Sequence, residues 1–340
     1  MSFPSSSVML LVLMLTALLK AASAETFHRA GQISFGNELA NILNGGKLLT
    51  LSLDNSTGSG YQSTNTYLFE RLDMNIKLVP GNSAGTVATF YLSSQGANHD
   101  EIDFEFLGNV SGQPYTIHTN IYSQGGGNRE QQFHVWFDPT AAFHKYTVIW
   151  NPQLIMLMVD DTPIRVFNNN EAIGVPFPNS QAMTVYATIW DGETWATEGG
   201  RIPTDWTQAP FTASYESFVI NACEYSSGSS SCGSSETTNS VTEASLTQSL
   251  DSEEHEKLLW VQENCMIYNY CTDNERFPQG LPPECNQPYY LHVHDHYLMA
   301  ASAENFYRDV EITFGDERAM ILDGGDLLTL LTTLALVSNP

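Results

Sequence analysis

The sequence predicts an all-β protein, a concave antiparallel β-jelly-roll sandwich followed by a small disulfide-stapled C-terminal extension. From Gln32 to about Ile220 the chain consists of short segments rich in Val, Ile, Tyr, Phe and Thr, separated by turns of Gly, Asn, Asp and Pro. No helical periodicity of comparable length interrupts these segments. All five cysteines lie between residues 223 and 285, which places the stapled region after the predicted strands.

The predicted strands follow one another with turns between them. The first strand is entered through the Asn44-Gly45-Gly46 turn, and a turn-rich connection over residues 79–85 precedes the third. Two stacked sheets built from these strands close the sandwich. The strands are predicted at residues 48–53, 66–78, 86–92, 101–107, 116–122, 131–137, 146–150, 155–159, 164–167, 184–189 and 214–220.

Changes in composition divide the chain into four parts. A Ser- and Gly-rich segment over residues 225–235 ends the predicted sandwich, and a capped helix with acids in its first turn is predicted from Ser252 to Asn264. The parts are residues 1–24, a signal peptide; 25–222, the β-jelly-roll domain; 223–286, the C-terminal extension with linker, helix and disulfides; and 287–340, an atypical tail.

The first 24 residues predict export. An apolar run over residues 8–19 precedes Ala22-Ser23-Ala24, a small-x-small cleavage pattern. The run is too short for a membrane span, so we expect a secreted protein that does not bind membranes. Two sequons, at Asn55 and Asn109, are candidate glycan acceptors on this route.

The cysteines predict two bridges and one unpaired thiol. In an oxidising compartment, four of the five cysteines can pair. If near neighbours pair, the bridges are Cys223–Cys232 and Cys271–Cys285, and Cys265 is left over.

The tail, residues 287–340, repeats residues 21–51 at an offset of 279, with about 20 of 31 positions identical. Because the copy begins with the end of a signal peptide, we favour a tail fused from a neighbouring duplicate gene or from a gene-model error. The structural alternative is an extra edge strand that competes with the N-terminal one. His292, His294 and His296 alternate within this tail, but we predict no metal site there.

The charge of the chain restricts its partners. The formal net charge is -25 at pH 7. Nucleic acid is excluded as a partner because its phosphates would be repelled.

The segment from His99 to Asn109 carries the predicted chemistry. Acidic and apolar residues alternate in it, so Glu101, Asp103 and Glu105 share one face of a strand. Three adjacent carboxylates repel one another, which makes an ordinary exposed face the weaker interpretation. Paired carboxylates perform the acid, base and nucleophile steps of glycosidic bond cleavage, and a third group can separate their pKa values. A concave sheet face suits a long polymer.

These residues resemble a known family. The segment from His99 to Asn109 is similar to the signature of the plant xyloglucan endotransglucosylase/hydrolases, within glycoside hydrolase family sixteen. The likeness covers nearly all of residues 25–286. Further motifs that carry it are Pro80-Gly81-Asn82-Ser83-Ala84-Gly85-Thr86, Thr119-Asn120, Asn128-Arg129-Glu130-Gln131, Trp136-Phe137-Asp138-Pro139-Thr140, Pro163-Ile164-Arg165, Trp195-Ala196-Thr197, Gly199-Gly200, Asp205-Trp206, Trp260-Val261-Gln262, Met266-Ile267-Tyr268-Asn269-Tyr270-Cys271 and Arg276-Phe277-Pro278.

The resemblance implies a retaining enzyme of the cell wall and apoplast that needs no metal and no cofactor. Glu101 is then the nucleophile, Glu105 the acid and later the base, and Asp103 the helper. The donor is a xyloglucan polymer, and the acceptor is another xyloglucan chain or oligosaccharide. Asn109 matches the family's glycosylation site, and we expect a monomer. The resemblance places three aromatic residues along the cleft, and five further residues are candidate sugar contacts, for which a solvated loop (Arg129, Gln131) or a pair with an acid (Arg276) is the alternative. The predicted substrate-binding residues are Tyr91, Trp190, Trp195, Asn120, Arg129, Gln131, Gly200 and Arg276.

Some positions depart from the family pattern, and other functions stay open. Cys265 replaces a usual aromatic residue, Pro203 a common Lys, and Asp191-Gly192-Glu193 the usual Asn-Ala-Asp. The alternatives are a mainly hydrolytic xyloglucanase, a lectin-type binder on the same sandwich, or a catalytically impaired carbohydrate-binding product of a fused gene. The intact carboxylates argue against a simple binder.

Overall fold

The computed structural model describes residues 25–226, 229–230, 248–286, 312–314 and 317–319. The predicted signal peptide, the Cys223–Cys232 bridge and the three tail histidines lie outside the described residues. The chain forms two units, Met1–Cys285 and Asn286–Pro340. In the second unit, two short antiparallel strands are described, Ile312–Phe314 and Glu317–Ala319.

The first unit is built almost entirely from β-strands. None of the helices in the described part of the chain combines the length and hydrophobicity that a membrane span requires. The helices are α1 (Phe27–Ala30) and α2 (Ser252–Asn264); the strands are β1 (Gly31–Phe35), β2 (Ala40–Leu43), β3 (Leu48–Leu53), β4 (Ser59–Lys77), β5 (Thr86–Ser93), β6 (Glu101–Leu107), β7 (Thr116–Tyr122), β8 (Gln131–Phe133), β9 (His144–Trp150), β10 (Leu154–Val159), β11 (Thr162–Asn168), β12 (Met183–Asp191), β13 (Phe211–Ser226), β14 (Ser229–Ser230) and β15 (Met266–Asn269).

The predicted antiparallel jelly roll is confirmed, with one long strand shared by its two layers. The start of β4 pairs with β1 and β12, and the same layer continues through β5, β6, β7, β8 and β15. The rest of β4 pairs with β13 and β9, in the layer completed by β2, β3, β10 and β11. Phe69, with φ of 67°, interrupts the extended backbone between the two halves of β4. The two layers are therefore continuous through β4.

The apolar face of β6 lies in the core between the layers. Ile102, Phe104 and Phe106 are each 0% exposed, as the alternating sequence predicts. The rings of Phe104 and Phe106 contact Tyr146 on β9 in the opposite layer, with ring centroids 5.7 and 4.7 Å away. Burying each such side chain contributes about 2–3 kcal/mol, which fixes which face of β6 points outward.

Several predicted strand boundaries differ from the structure, among them 214–220, which is Phe211–Ser226, and for two of them packing gives the reason. The strand predicted at 131–137 ends at Phe133. Beyond it, the backbone N–H of His134 donates a hydrogen bond to the Cys265 carbonyl oxygen, and Trp136 is 41% exposed. The strand predicted at 66–78 begins earlier, at Ser59. The sequence at the start of this strand predicts a turn because it contains Gly60. A Cβ there would lie 2.3 Å from the Phe35 ring, so this glycine permits close packing within the sheet.

The C-terminal extension completes the first unit. A capping box between Asp251 and Glu254 starts α2, whose Leu258 packs against an apolar cluster of the β9–β11 layer. The predicted Cys271–Cys285 disulfide is present, and Cys265 is a free, buried thiol among the cysteines described. The extension also adds β15 beside β8, which lengthens the sheet that contains β6. The strand prediction missed β15, as well as β1, β2 and β14.

One carboxyl is buried inside the sandwich. Glu70 shares the inward face of β4 with Leu72, Met74 and Ile76, and it is 2% exposed. Neither of its side-chain oxygens has a hydrogen-bond partner within the described residues. Burial therefore raises the pKa of Glu70 well above its usual value, which keeps the side chain neutral.

We expect the free energy of unfolding of Glu70→Gln to fall less than that of the parent as the pH is raised. The folded state holds the Glu70 proton above pH 4.5, whereas the unfolded chain releases it there. The contribution of Glu70 to the free energy of unfolding is complete below pH 4.5. Between pH 4.5 and the raised pKa of the folded state it falls by about 1.4 kcal/mol per pH unit. Urea unfolding at several pH values should show a shallower decline for Glu70→Gln. Exposed Glu38→Gln is the control; equal slopes in both variants would contradict the assignment.

Candidate active site

The outward face of β6 carries the three predicted carboxyls in register with polar residues on both neighbouring strands. Glu101, Asp103 and Glu105 lie opposite Ser93, Tyr91 and Thr89 on β5, and opposite Tyr122, Asn120 and His118 on β7. Residues directly opposite each other on paired strands lie on the same face of the sheet, as do alternate residues of one strand. The side chains of all three rows therefore point to one face. The acidic row therefore lies between two rows that can contact the same ligand.

These rows line an open groove with a volume of about 380 Å³. The groove combines carboxyls, hydroxyls and aromatic rings, which suits a polar ligand with apolar ring faces. Its lining residues are Phe35, Thr89, Tyr91, Glu101, Asp103, Glu105, Asn120, Tyr122, Thr188 and Trp190.

Burial and mutual repulsion separate the carboxyls chemically. Burial, with the charges of Glu101 and Glu130, raises the pKa of Glu105 to about 7. Burial, followed by the charges of Glu101 and Glu105, raises the pKa of Asp103 well above its usual value. Asp103 also shares a hydrogen bond with Glu101, and a protonated Asp103 is its donor. The site thus offers an acid that titrates near neutral pH beside a hydrogen-bonded carboxylate.

A histidine approaches each glutamate. His99 Nε2 lies 3.8 Å from Glu101 Oε2, and its ring stacks on Tyr122 with centroids 5.4 Å apart. His99 Nδ1 is also 3.2 Å from the Gly96 carbonyl oxygen, so this side chain contacts both the turn and the acidic row. His118 Nε2 lies 3.6 Å from Glu105 Oε2.

Aromatic side chains form the walls of the groove. Tyr91 stacks on Tyr186, with ring centroids 4.9 Å apart. Trp190 lines the groove and contacts Trp195 at 5.9 Å, and Trp195 also meets the His118 ring edge-to-face at 6.0 Å. The three aromatic residues predicted for the cleft are therefore grouped around the carboxyls.

A buried hydroxyl helps to fix the loop that holds Trp195. Thr197 Oγ1 accepts a hydrogen bond from Gly85 N at 2.7 Å and donates one to Gly108 O at 2.9 Å. Gly85 precedes β5 and Gly108 follows β6, so one side chain connects this loop to the ends of two site strands.

The predicted polar ligands divide into two groups. Asn120 lines the groove, and its Oδ1 accepts from Arg129 N at 3.1 Å. The Arg129 side chain instead pairs with buried Glu284, with Nε and Oε1 2.7 Å apart. Gln131 is buried and donates to Asn269 Oδ1 at 3.2 Å. The structure therefore brings Asn120 to the carboxyls and uses Arg129 and Gln131 to join the sandwich to the extension.

Arg276 and Gly200 lie beside the groove lining without being part of it. Arg276 pairs with Glu130, with Nη1 and Oε2 2.6 Å apart, and donates to Asn128 Oδ1 at 2.8 Å. Gly200 has φ of +83°, and a Cβ there would lie 2.1 Å from Thr194 O, so a tight loop explains this glycine.

The two sequons lie outside regular strands. Asn109 follows β6 and donates from Nδ2 to Pro114 O at 3.0 Å. Asn55 is exposed in the turn between β3 and β4.

Sequence reasoning missed several residues of the groove. Each of these residues lies on the same face of the sheet as the three carboxyls. This can be predicted only when the strand register is known. The missed residues are Phe35, Thr89, Tyr122 and Thr188 in the groove lining, and His118 and Tyr186, which contact Glu105 and Tyr91.

The fold and the site together define a glycan-cleaving enzyme on a β-jelly-roll scaffold. Residues 27–208 match the model of glycosyl hydrolases family 16, and residues 234–285 match the model of the xyloglucan endo-transglycosylase (XET) C-terminus. The chain belongs to the xyloglucan endotransglucosylase/hydrolase family, within glycosyl hydrolases family 16.

Plant relatives support this assignment. Xyloglucan endotransglucosylase protein 7 of Diospyros kaki is 58% identical over 265 residues, 78% of this chain and 98% of the relative. Xyloglucan endotransglucosylase/hydrolase protein 22 of Arabidopsis thaliana is 55% identical over 276 residues, 81% of this chain and 97% of the relative. Xyloglucan endotransglucosylase/hydrolase 2 of Glycine max is 54% identical over 280 residues, 82% of this chain and 96% of the relative.

We expect Thr197→Val to weaken substrate binding more than it slows turnover. Valine keeps the shape of threonine but leaves Gly85 N and Gly108 O without their partner, at a cost of about 2 kcal/mol. The Trp195 loop should then shift, which raises KM for a glycan substrate. Thr197→Ser retains the hydroxyl and is the matched control. Kinetics in which the Val and Ser variants agree would exclude this role for the hydroxyl.

Proposed function

We propose that this protein is a secreted enzyme of the plant cell wall and apoplast that cuts the β-1,4-glucan backbone of xyloglucan and transfers the fragment to another xyloglucan chain. The observation that carries the proposal is the row Glu101, Asp103 and Glu105 on the floor of an aromatic groove. The named activity of relatives at 54–58% identity supports the choice of xyloglucan.

In the first step, Glu101 attacks the anomeric carbon as Glu105 donates its proton to the leaving oxygen. A pKa of about 7 keeps Glu105 protonated at mildly acidic pH, as a general acid requires. The hydrogen bond from protonated Asp103 orients the Glu101 side chain toward the anomeric carbon. The glycosidic bond breaks, and a covalent glycosyl-enzyme forms on Glu101.

In the second step, the Glu105 carboxylate takes a proton from the 4-hydroxyl of an acceptor sugar. The acceptor oxygen attacks the anomeric carbon and displaces Glu101, so two inversions give net retention. Water can replace the acceptor, and the glycosyl-enzyme is then hydrolysed, which releases the free sugar chain and Glu101.

The residues around the carboxyls suit this substrate. Tyr91, Trp190 and Trp195 offer rings on which the apolar faces of glucose units can stack, and Asn120 offers an amide for a sugar hydroxyl. Arg129, Gln131, Gly200 and Arg276 belong to the proposed site through the loops and the extension that they hold in place. The proposal also includes a monomer, with glycans on Asn109 and Asn55.

One assay tests the proposed function. The secreted protein is incubated with xyloglucan and a labelled xyloglucan oligosaccharide, while label in polymer and new reducing ends are measured separately. We expect label to enter the polymer without an equal rise in reducing ends. New ends alone would indicate a hydrolase. If neither signal appears while Glu101→Ala and the parent bind xyloglucan equally, the protein is a binder and the proposal fails.

A further inference from the structure

A histidine that the proposed mechanism does not use lies against the proposed acid/base. His118 on β7 is directly opposite Glu105 on β6, and its Nε2 is 3.6 Å from Glu105 Oε2. The His118 side chain is only 12% exposed and is covered on one side by Trp195. Packing therefore fixes the ring beside Glu105.

The neighbour on the far side of the ring determines where its proton lies. Gln132 on β8 is in register with His118, and its Nε2 is 3.0 Å from His118 Nδ1. An amide NH₂ group only donates, so Nδ1 must be the acceptor and the single ring proton must be on Nε2, facing Glu105. Burial lowers the pKa of His118 to about 4, so the ring is neutral at the pH where Glu105 titrates.

The charged groups around this pair come from four elements. Glu101 and Asp103 lie on β6 with Glu105, and Glu130 precedes β8. Arg165 on β11 and Arg276 of the extension act on His118 from outside these strands. The phenols of Tyr91 and Tyr122 face the acidic row from β5 and β7, and burial raises their pKa values. Near neutral pH, the His118 ring N–H is thus a neutral donor within an acidic surrounding.

We propose that His118 is a positioning residue for Glu105, with its Nε2–H directed at Glu105 Oε2 in a tautomer that Gln132 selects. The inference rests on the acid/base role proposed for Glu105. The donor stabilises the carboxylate that forms when Glu105 gives its proton to the leaving oxygen. From 3.6 Å the Nε2–H dipole acts on Oε2, and the other oxygen remains to exchange the proton with the glycan.

The test measures the pH dependence of kcat/KM for xyloglucan cleavage. His118→Phe keeps a flat ring against Trp195 but removes the donor, so the pKa of Glu105 should rise. Because cleavage needs protonated Glu105, the alkaline limb of the profile should move up by about one pH unit. His118→Gln restores a donor and should return the limb toward that of the parent.

Gln132→Leu gives a second test that leaves the histidine in place. Without the amide, His118 can take either tautomer, so the limb should shift in the same direction by a smaller amount. Thermal unfolding establishes that each variant is folded. An unchanged limb in folded His118→Phe, or in folded Gln132→Leu where the first variant does not fold, overturns the proposal.

A separate substrate distinguishes this failure from failure of the proposed function. An aryl xyloglucan oligosaccharide with a good phenolate leaving group needs no protonation, so the parent should lose its alkaline limb on it. If that limb persists in the parent, the acid role of Glu105 is wrong. If it vanishes in the parent while His118→Phe leaves the xyloglucan profile unchanged, only the role of His118 is wrong.

Discussion

Replacing Glu101 by Ala is expected to reduce both transfer and hydrolysis by about 10⁴-fold or more, since removal of a covalent nucleophile abolishes the intermediate. Glu101 is on the groove floor, and its neighbour Asp103 supplies its hydrogen bond. Initial rates of labelled oligosaccharide incorporation measure the loss. Azide added to Glu101→Ala should restore cleavage of an activated substrate with an α-glycosyl azide as product, because one inversion then replaces two.

The control for this prediction is the other glutamate on the same strand face. Glu105→Ala retains the nucleophile, so azide should give the β-glycosyl azide through the usual intermediate. Exposed Glu38→Ala should have the activity of the parent. A β-azide from Glu101→Ala, or a loss of less than tenfold, would reject the assignment of Glu101.

Replacing Glu284 by Ala is expected to destabilise the protein by about 3 kcal/mol. Glu284 is 1% exposed, its Oε1 pairs with Arg129 Nε at 2.7 Å, and Tyr270 Oη is 3.4 Å from the same oxygen. Its removal leaves the Arg129 guanidinium, which is only 12% exposed, without this carboxylate. Denaturant unfolding measures the loss, and protection from proteolysis should fall first in the extension.

A double-mutant cycle separates the ion pair from simple loss of packing. With Arg129→Ala already present, Glu284→Ala should cost clearly less than it does in the parent, since no guanidinium is left unpaired. The exposed helix pair of Lys257 and Glu253 provides a surface comparison, and Glu253→Ala should not change stability measurably. Equal costs in the parent and in Arg129→Ala would show that the pair is not coupled.

Local sequence pattern predicted the strand that carries the carboxyls, and the reason is visible in its environment. Strand β6 spans Glu101–Leu107 as expected, because every second residue is a large apolar side chain that the core accepts. Strand β4 was placed only in part, since its first residues include glycine and serine that local rules assign to turns. Pairing with β1 and β12 stabilises those residues as a strand.

The contacts of two polar residues near the site, in contrast, could not be predicted from the local sequence. Arg129 and Gln131 stand two residues apart in a motif that suggested sugar contacts. Their partners, Glu284 and Asn269, lie 155 and 138 residues away in sequence and belong to the extension. Only the folded chain brings these partners close enough to engage both side chains.

The sequence by itself predicted the fold class, the acidic face of β6 and the family, and near-neighbour pairing predicted the Cys271–Cys285 bridge, because each depends on residue types and spacings along the chain. The tertiary structure decided which carboxyl is buried enough to titrate near neutral pH, and it brought His118 and Gln132 to its side. Desolvation and proton placement depend on neighbours from other strands, and strand register is set by the packing of the whole sheet.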